Sequence, residues 1–443
     1  MNGPETSTTL LRDIAPDPKG KYSALAAAKF YWPLFVQAFS QCLTYPLVAS
    51  IAGAGSLGVK GYTAYAQGLS LMFMLGAIAG GLPMTGMVFS RTRAGYAAFQ
   101  RLNRLMMAAL LSLEVLIGLK PVGPWIFANI LNLPAELTDV ACDIVIWGAV
   151  MQAGFFLRNE PFVLLMNERR SFEANLATLI RVAVTAAMPL VFLPLGWIGP
   201  IAALVAQTIP VWLETVFTWY FARSIPGSLD PNDDAEITSY YSVARQFSFT
   251  MPLSIGYLLL ATSPIVLSMA IARTEDAVMM LSVHAITVGV FNPFGFGALR
   301  MQAVQIQFPR EYPGDRRLVS FAALVGIVLG LLVAVIAMPG LSDWYFCGVQ
   351  NLPREYLGKA RIVMAIFAFL PIVQSLRGRA EGIAALKKKP RIVMRGQIAF
   401  LAVMIAALLV MLVSGVPGWI MGAVAFTAAI WSCTLVIALG IRT

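Results

Sequence analysis

The chain has 443 residues, 58% of them hydrophobic and only 12% charged, with a formal net charge of +10 and a mean hydropathy of +0.75. Soluble domains carry roughly 25% charged residues, so a chain this apolar cannot fold as a water-soluble enzyme or binding module.

Apolar runs recur along the whole chain, many close to the ~20 residues that cross a bilayer. In lipid each run must pair its own backbone N–H and C=O groups, which predicts helices. The short alternating segments of a β-barrel are missing. Residues 1–28 are polar and read as a cytoplasmic N-terminal tail rather than a signal peptide. Spans are predicted over 30–51, 62–90, 102–119, 138–166, 172–194, 197–222, 246–271, 277–299, 318–338, 357–386, 392–413 and 417–440. Spans 138–166 and 357–386 are too long for a straight crossing and predict tilt, a kink or an extension beyond the bilayer. An acidic stretch holding Asp230, Asp233, Asp234 and Glu236 marks 224–244 as a cytoplasmic linker between an N-lobe (29–223) and a C-lobe (245–443).

Basic residues orient the spans. Arg12, Lys19, Lys21 and Lys29, Arg91 to Arg104, Arg169, Arg170, Arg316, Arg317 and the run Lys387 to Lys389 fall on the side where the chain starts. The opposite side holds Lys60, Lys120, Arg273, Arg354, Lys359 and Arg361. The positive-inside rule then places both termini in the cytoplasm of a multi-pass protein of the plasma (bacterial inner) membrane. Topology accounts for the basic balance without a nucleic-acid partner.

The two halves resemble one another at a fixed offset of 219 positions. Asn132, Leu133 and Pro134 recur as Asn351, Leu352 and Pro353. Glu136, Leu157, Arg158, Arg169, Arg170 and Gly196 recur as Glu355, Leu376, Arg377, Lys388, Lys389 and Gly415. Pro46 and Pro264 match at 218. Each half holds six spans, an even number, so both start from the same side. The fold class predicted is an all-α membrane protein of twelve helices in two six-helix lobes, related by a pseudo-two-fold axis along the membrane normal.

No multi-histidine metal site is possible with one histidine, and no P-loop motif occurs, so no cofactor or metal is expected. Cys42, Cys142, Cys347 and Cys433 have no paired spacing. Ionisable groups inside a membrane are costly and call for an explanation. Arg158 and Arg377 are repeat-related, and two guanidinium forks facing one cleft would grip a phosphate or carboxylate. The bland alternative pairs Arg158 with Glu160 or Asn159, and Arg377 with Glu381 at helical i,i+4 spacing. Arg181 falls near mid-membrane, with Glu114 of span three as a candidate partner. Gln37, Gln41 and Thr44 form a polar stripe in span one that lines the cleft or bonds another helix. Asn292 is a further candidate ligand. Glu114, Glu160, Glu381 and the lone His284 are candidates for coupling or charge compensation, with a hydrogen-bonded packing role the plainer reading of His284. Pro46, Pro83, Pro264, Pro293 and Pro371 are candidate hinges, and the Gly80-Gly81-Leu82-Pro83 break is matched to Asn292-Pro293.

Three segments stand out: Tyr31-Trp32-Pro33-Leu34 at the opening of span one; Gly289-Val290-Phe291-Asn292-Pro293-Phe294-Gly295 in span eight, with Arg300 and Pro309 following; and Leu370-Pro371 through Leu376-Arg377, then Gly382 and Leu386-Lys387-Lys388, at the end of span ten. In these segments the chain resembles the progressive ankylosis protein family, within the multidrug/oligosaccharidyl-lipid/polysaccharide exporter superfamily. Span one departs from the family, carrying Gln37 and Gln41 where acidic residues are expected. The resemblance implies export of anions: nucleotides, pyrophosphate or citrate-like carboxylates.

The expected function is therefore a secondary transporter of organic or phosphate-bearing anions, acting as a monomer in the bilayer, with a proton or sodium ion as a possible coupling partner. The alternatives are a flippase for an anionic lipid-linked molecule and an ion-coupled multidrug antiporter.

Overall fold

The computed structural model describes residues 22–131, 133–229, 231, 242–312, 314–350 and 352–442. Among these residues the chain is helical throughout, without a strand. Twelve long helical spans follow in order. Span one is Ala24–Leu47. Span two is Gly58–Gly76, continued through a 3-10 turn at Ala77–Gly81 into Leu82–Phe89. Spans three to seven are Arg93–Gly118, Ala135–Asn167, Ser171–Phe192, Pro200–Ala222 and Val243–Ile271. Span eight is Ala277–Leu299 with Met301–Gln307, and span nine is Arg317–Ile336. Span ten is Arg354–Phe367 with Leu370–Leu386; spans eleven and twelve are Pro390–Val413 and Gly418–Gly440. Ten of these are individually long and apolar enough to cross a membrane, and span three joins them together with a short helical segment bent away by 73°. We call the side on which span one begins the near side, and the opposite side the far side.

The halves repeat one another in packing as well as in sequence. Span four packs against spans two, three and six, while span five packs against spans one and six. Span ten likewise packs against spans eight, nine and twelve, and span eleven against seven and twelve. The cross-contacts exchange in the same way: span one lies against span eight, and span seven against span two. Loop geometry follows the repeat too. Arg169 and Lys388 adopt left-handed φ values of 57° and 54°, and Gly196 and Gly415 values of 71° and 66°. A non-glycine residue in this region is uncommon, so its recurrence at one register marks the same tight near-side turn in both halves. On the far side, Phe127 and Phe346 are both fully buried, and Trp125 and Trp344, 219 positions apart, are both exposed. Such tryptophans suit the membrane–water interface.

The lobes meet along the near side. Tyr31 donates to the Gly297 carbonyl at 3.0 Å, Thr85 and Thr250 share a hydrogen bond of 2.7 Å, and Gln246 donates to the Gly95 carbonyl at 2.9 Å. Gly80 is required where span two meets span seven, because a Cβ there would lie 2.6 Å from the Tyr257 ring.

The helix breaks differ from the sequence expectation. Span eight runs without interruption through Asn292 and Pro293 and breaks at Arg300. Arg300 is the register partner of Gly81, so the two broken spans do correspond, but one turn or more from the predicted place. Spans four and seven continue through Pro161 and Pro264, whereas span ten breaks just before Pro371. Proline removes one backbone donor but is tolerated where its first-turn position leaves that donor unneeded, which fits Pro83 and Pro371 at the starts of their helices. The side chains of Gln41, Thr44 and Pro46, and residues Asn132 and Asn351, lie outside those described; so does most of the linker.

Candidate functional site

Spans four, five and six of the N-lobe form a three-helix unit, and its centre is polar. Glu214 on span six is 1% exposed. A carboxylate at such depth must be paired and hydrogen-bonded to stay charged, and three neighbours do this. Arg158 on span four donates through Nη1 at 3.0 Å, and Arg181 on span five places Nη1 at 3.3 Å from the same Oε2 oxygen. Thr178 donates to Oε1. Gln37 of span one in turn donates to Thr178 at 2.9 Å. One network therefore joins Gln37, Thr178, Glu214, Arg158 and Arg181. Both guanidinium groups also lie near the ring of Phe155, at 5.3 and 5.9 Å from its centroid, which fixes their orientation in the helical bundle.

The two arginines of the network, but not Gln37, Thr178 or Glu214, line a cavity of about 330 Å³. Phe73, Gly76, Gly80 and Pro83 of span two line one side, and Gln152, Phe155, Arg158, Asn159 and Arg181 the other. Two cations share one anion here, so the wall carries excess positive charge. Arg300, at the break of span eight, lies close enough to Arg158 for their like charges to interact, and is also near Tyr257 and Tyr31. The cavity is mostly apolar with a few convergent polar groups, as small-molecule sites are.

The C-lobe equivalent is built differently. Arg377 is 2% exposed and donates to Glu381 at 2.8 Å, the i,i+4 pair considered from the sequence. Its Nη2 makes no hydrogen bond among the described residues. Cys433, the register partner of Glu214, lies against its guanidinium. Arg377 does not line the cavity.

Two expected pairings are corrected. Arg181 pairs with Glu214, not with Glu114; and Arg158 pairs with Glu214, not with Glu160 or Asn159. The reason is angular. Residues two apart on a helix point about 200° apart, so Arg158 faces span six while Glu160 faces span three. There Glu160 pairs with Arg104 at 3.1 Å and accepts from Gln100 and Asn103. Glu114, fully buried on span three, has no ion pair among the described residues, and Gln152 is the polar group beside it. His284 packs against Gly422 of span twelve, where a Cβ would lie 2.5 Å from its ring. Asn292 is half-buried within span eight. No cluster of histidine, cysteine or acidic side chains suited to a metal occurs among the described residues.

Sequence reasoning missed Glu214, the centre of the network. Its signal was available: an acidic residue well inside an apolar span. The predicted span 277–299 also stopped short of Arg300, although that residue's register with Gly81 pointed to the broken part of span eight.

The fold resembles that of solved MATE transporters and of a MOP superfamily transporter. The fold is similar to that of the Vibrio cholerae MATE transporter VcmN, with a TM-score of 0.74 and 15% identity over 99% of this chain and 98% of that one. It is also similar to a MOP superfamily transporter from Pyrococcus furiosus (TM-score 0.69, 14% identity, 98% and 96% covered) and to the eukaryotic MATE transporter AtDTX14 (0.68, 13%, 94% and 95%). No protein-family model and no curated protein sequence matches the chain. These solved neighbours are transporters rather than enzymes, and the likeness at this identity establishes the fold.

Proposed function

We propose that the chain is a secondary transporter of small organic or phosphate-bearing anions, working by alternating access between its two lobes. The carrying observation is that Arg158 and Arg181, on a cavity wall, share the single carboxylate Glu214, leaving one positive charge without a partner in that network. A guanidinium presents a planar fork of donors that suits phosphate or carboxylate. The Pyrococcus furiosus neighbour is described as having a binding pocket of reverse polarity that suggests a different function, which supports the idea that this fold accommodates pockets of either sign.

Alternating access needs the site to feel lobe movement. Gln37 links span one, which packs on span eight of the other lobe, to the Glu214 network. Cargo that competes for Arg158 would loosen Glu214 and so alter the bond between Thr178 and Gln37. Arg377, with one unbonded nitrogen, is the C-lobe group that would meet the anion as the lobes close. With the near side cytoplasmic, as the basic residues indicate, the near-side contacts support an outward-open state. The residues shared with the progressive ankylosis family support the same substrate class.

A second reading, an ion-coupled multidrug antiporter, is favoured by one feature: the buried Glu114 carboxylate without an ion pair among the described residues. Equilibrium binding separates the two. Radiolabelled pyrophosphate and citrate are expected to bind the purified protein saturably. Their affinity should fall by about tenfold or more in Arg158→Gln, as expected when a hydrogen bond to a charged group is removed. Binding of a cationic dye that survives Arg158→Gln but fails in Glu114→Gln would replace the anion reading with the second.

A further inference from the structure

The repeat places opposite charges at one position in the two halves. Glu160 on span four corresponds to Arg379 on span ten. In the N-half the charge is satisfied: Glu160 accepts from Gln100 at 3.0 Å and from Asn103 at 3.2 Å, and pairs with Arg104 at 3.1 Å. The positions corresponding to Gln100, Asn103 and Arg104 are Val319, Ala322 and Ala323 of span nine. The register holds in space, because Asn103 donates to the Phe156 carbonyl while Ser375 donates to the carbonyl of Ala322. None of the three C-half residues can pair with a guanidinium. Arg379 is only 9% exposed, forms no salt bridge among the described residues, and leaves both Nε and Nη2 without a hydrogen bond.

Its surroundings do not compensate. The charged groups whose fields reach it are Arg310, in the loop joining spans eight and nine, and Asp315. Asp315 is already occupied by Arg317, which holds both its oxygens at 3.0 and 2.9 Å, and by the backbone N–H of Arg317 at 3.0 Å. Arg310 is exposed. A buried guanidinium with two nitrogens lacking hydrogen bonds thus lies within electrostatic reach of an exposed one. A buried charge without a partner is costly, and an anion supplied from outside the chain would remove that cost.

We propose that Arg379 and Arg310 form a second anion site on the cytoplasmic face of the C-lobe, separate from the cavity at Arg158. The ligand is an oxyanion of phosphate type, either free in the cytoplasm or carried as the headgroup of an anionic lipid in the adjacent leaflet. Arg379 supplies the buried fork, and Arg310 closes the site from the solvent side. The site stands whether or not the central cavity carries anions.

The test uses the full-length protein in an Arg158→Gln background, which removes the central site's contribution. Delipidated protein is titrated with inorganic phosphate at constant ionic strength while thermal unfolding is followed, and co-purified phosphatidylglycerol is counted by native mass spectrometry. A saturable rise in unfolding temperature with phosphate identifies the free anion; bound phosphatidylglycerol with no phosphate response identifies the lipid. Either signal should weaken at least tenfold on adding Arg379→Gln. It should weaken equally on adding Ala323→Glu, which keeps Arg379 but offers it a carboxylate at the position of Arg104. The second variant keeps the test decisive should the first fail to fold. Absence of both signals, or signals unchanged in Ala323→Glu, would overturn the proposal.

Discussion

Arg158 and Arg181 reach the same oxygen of Glu214 from neighbouring spans, at 3.0 and 3.3 Å. Removing one partner of a buried pair leaves an uncompensated charge, at a cost of about 3–5 kcal/mol. Glu214→Gln is therefore expected to lower the thermal stability of the purified protein strongly. Adding Arg181→Met should recover part of that stability, since the two residues share one interaction and their effects are not additive. Additive destabilisation in the double variant would show that the residues are energetically independent.

Gln397 and Gly256 show how the C-half fills the space that Gln37 and Thr178 occupy in the N-half. The register partners are exchanged in size: a long glutamine on span one faces a threonine on span five, whereas a glycine on span seven faces a long glutamine on span eleven. A Cβ on Gly256 would lie 1.3 Å from the Gln397 Oε1. Gly256→Ala should destabilise the protein by about 1–3 kcal/mol through overpacking. Shortening the partner in Gly256→Ala/Gln397→Ala should restore most of that in thermal unfolding; no restoration would mean that the clash is relieved elsewhere.

How much was legible in the sequence depended on which kind of signal a feature leaves. Hydropathy revealed the spans, because lipid forces every apolar run into a helix. The 219-position repeat revealed the two-lobe arrangement and matched Arg169 to Lys388, but not the left-handed turns that these residues form. Side-chain partners were less legible. Whether Arg158 faces Glu160 or Glu214 depends on which helix lies on which side, and linear spacing carries no such information. The local pair Arg377–Glu381 was readable because both partners lie on one helix face. Breaks were misplaced where proline was taken as the cause: span eight breaks at Arg300, in register with Gly81, and not at Pro293.

Two cation–ring contacts close the near side in mirror fashion. Arg169 lies 4.1 Å from the Phe308 ring centroid, and Lys388 lies 5.2 Å from that of Phe89. Phe89 and Phe308 are themselves 219 positions apart, so each loop cation rests on an aromatic ring across the repeat. Interactions of this kind contribute about 0.5–2 kcal/mol each. Phe89→Leu with Phe308→Leu should therefore weaken near-side closure. Spin labels placed on the two near-side faces should report a larger population of long distances in the double variant. An unchanged distance distribution would mean that the hydrogen bonds alone hold the lobes together.

Lys388 also carries a pH signature. Burial, reinforced by the charge of Arg245, pushes its pKa down to about 8, against about 10.4 for a free lysine. The folded chain releases this proton earlier than the unfolded one, so the contribution of Lys388 to stability rises between about pH 8 and 10.4 and is flat below. The unfolding temperature of the wild type relative to Lys388→Met should climb across that interval. A difference that stays constant from about pH 7 to 10 would show that the lysine titrates as a free one does.

Solute counterflow tests the anion account most directly, because it reports exchange of cargo without requiring the coupling ion. Vesicles holding the protein and loaded with millimolar pyrophosphate or citrate should draw in trace radiolabelled anion, and Arg158→Gln, which leaves Glu214 paired with Arg181, should abolish most of the exchange while the protein remains folded. Counterflow of a cationic drug with none of any anion, or anion exchange undiminished in Arg158→Gln, would contradict it.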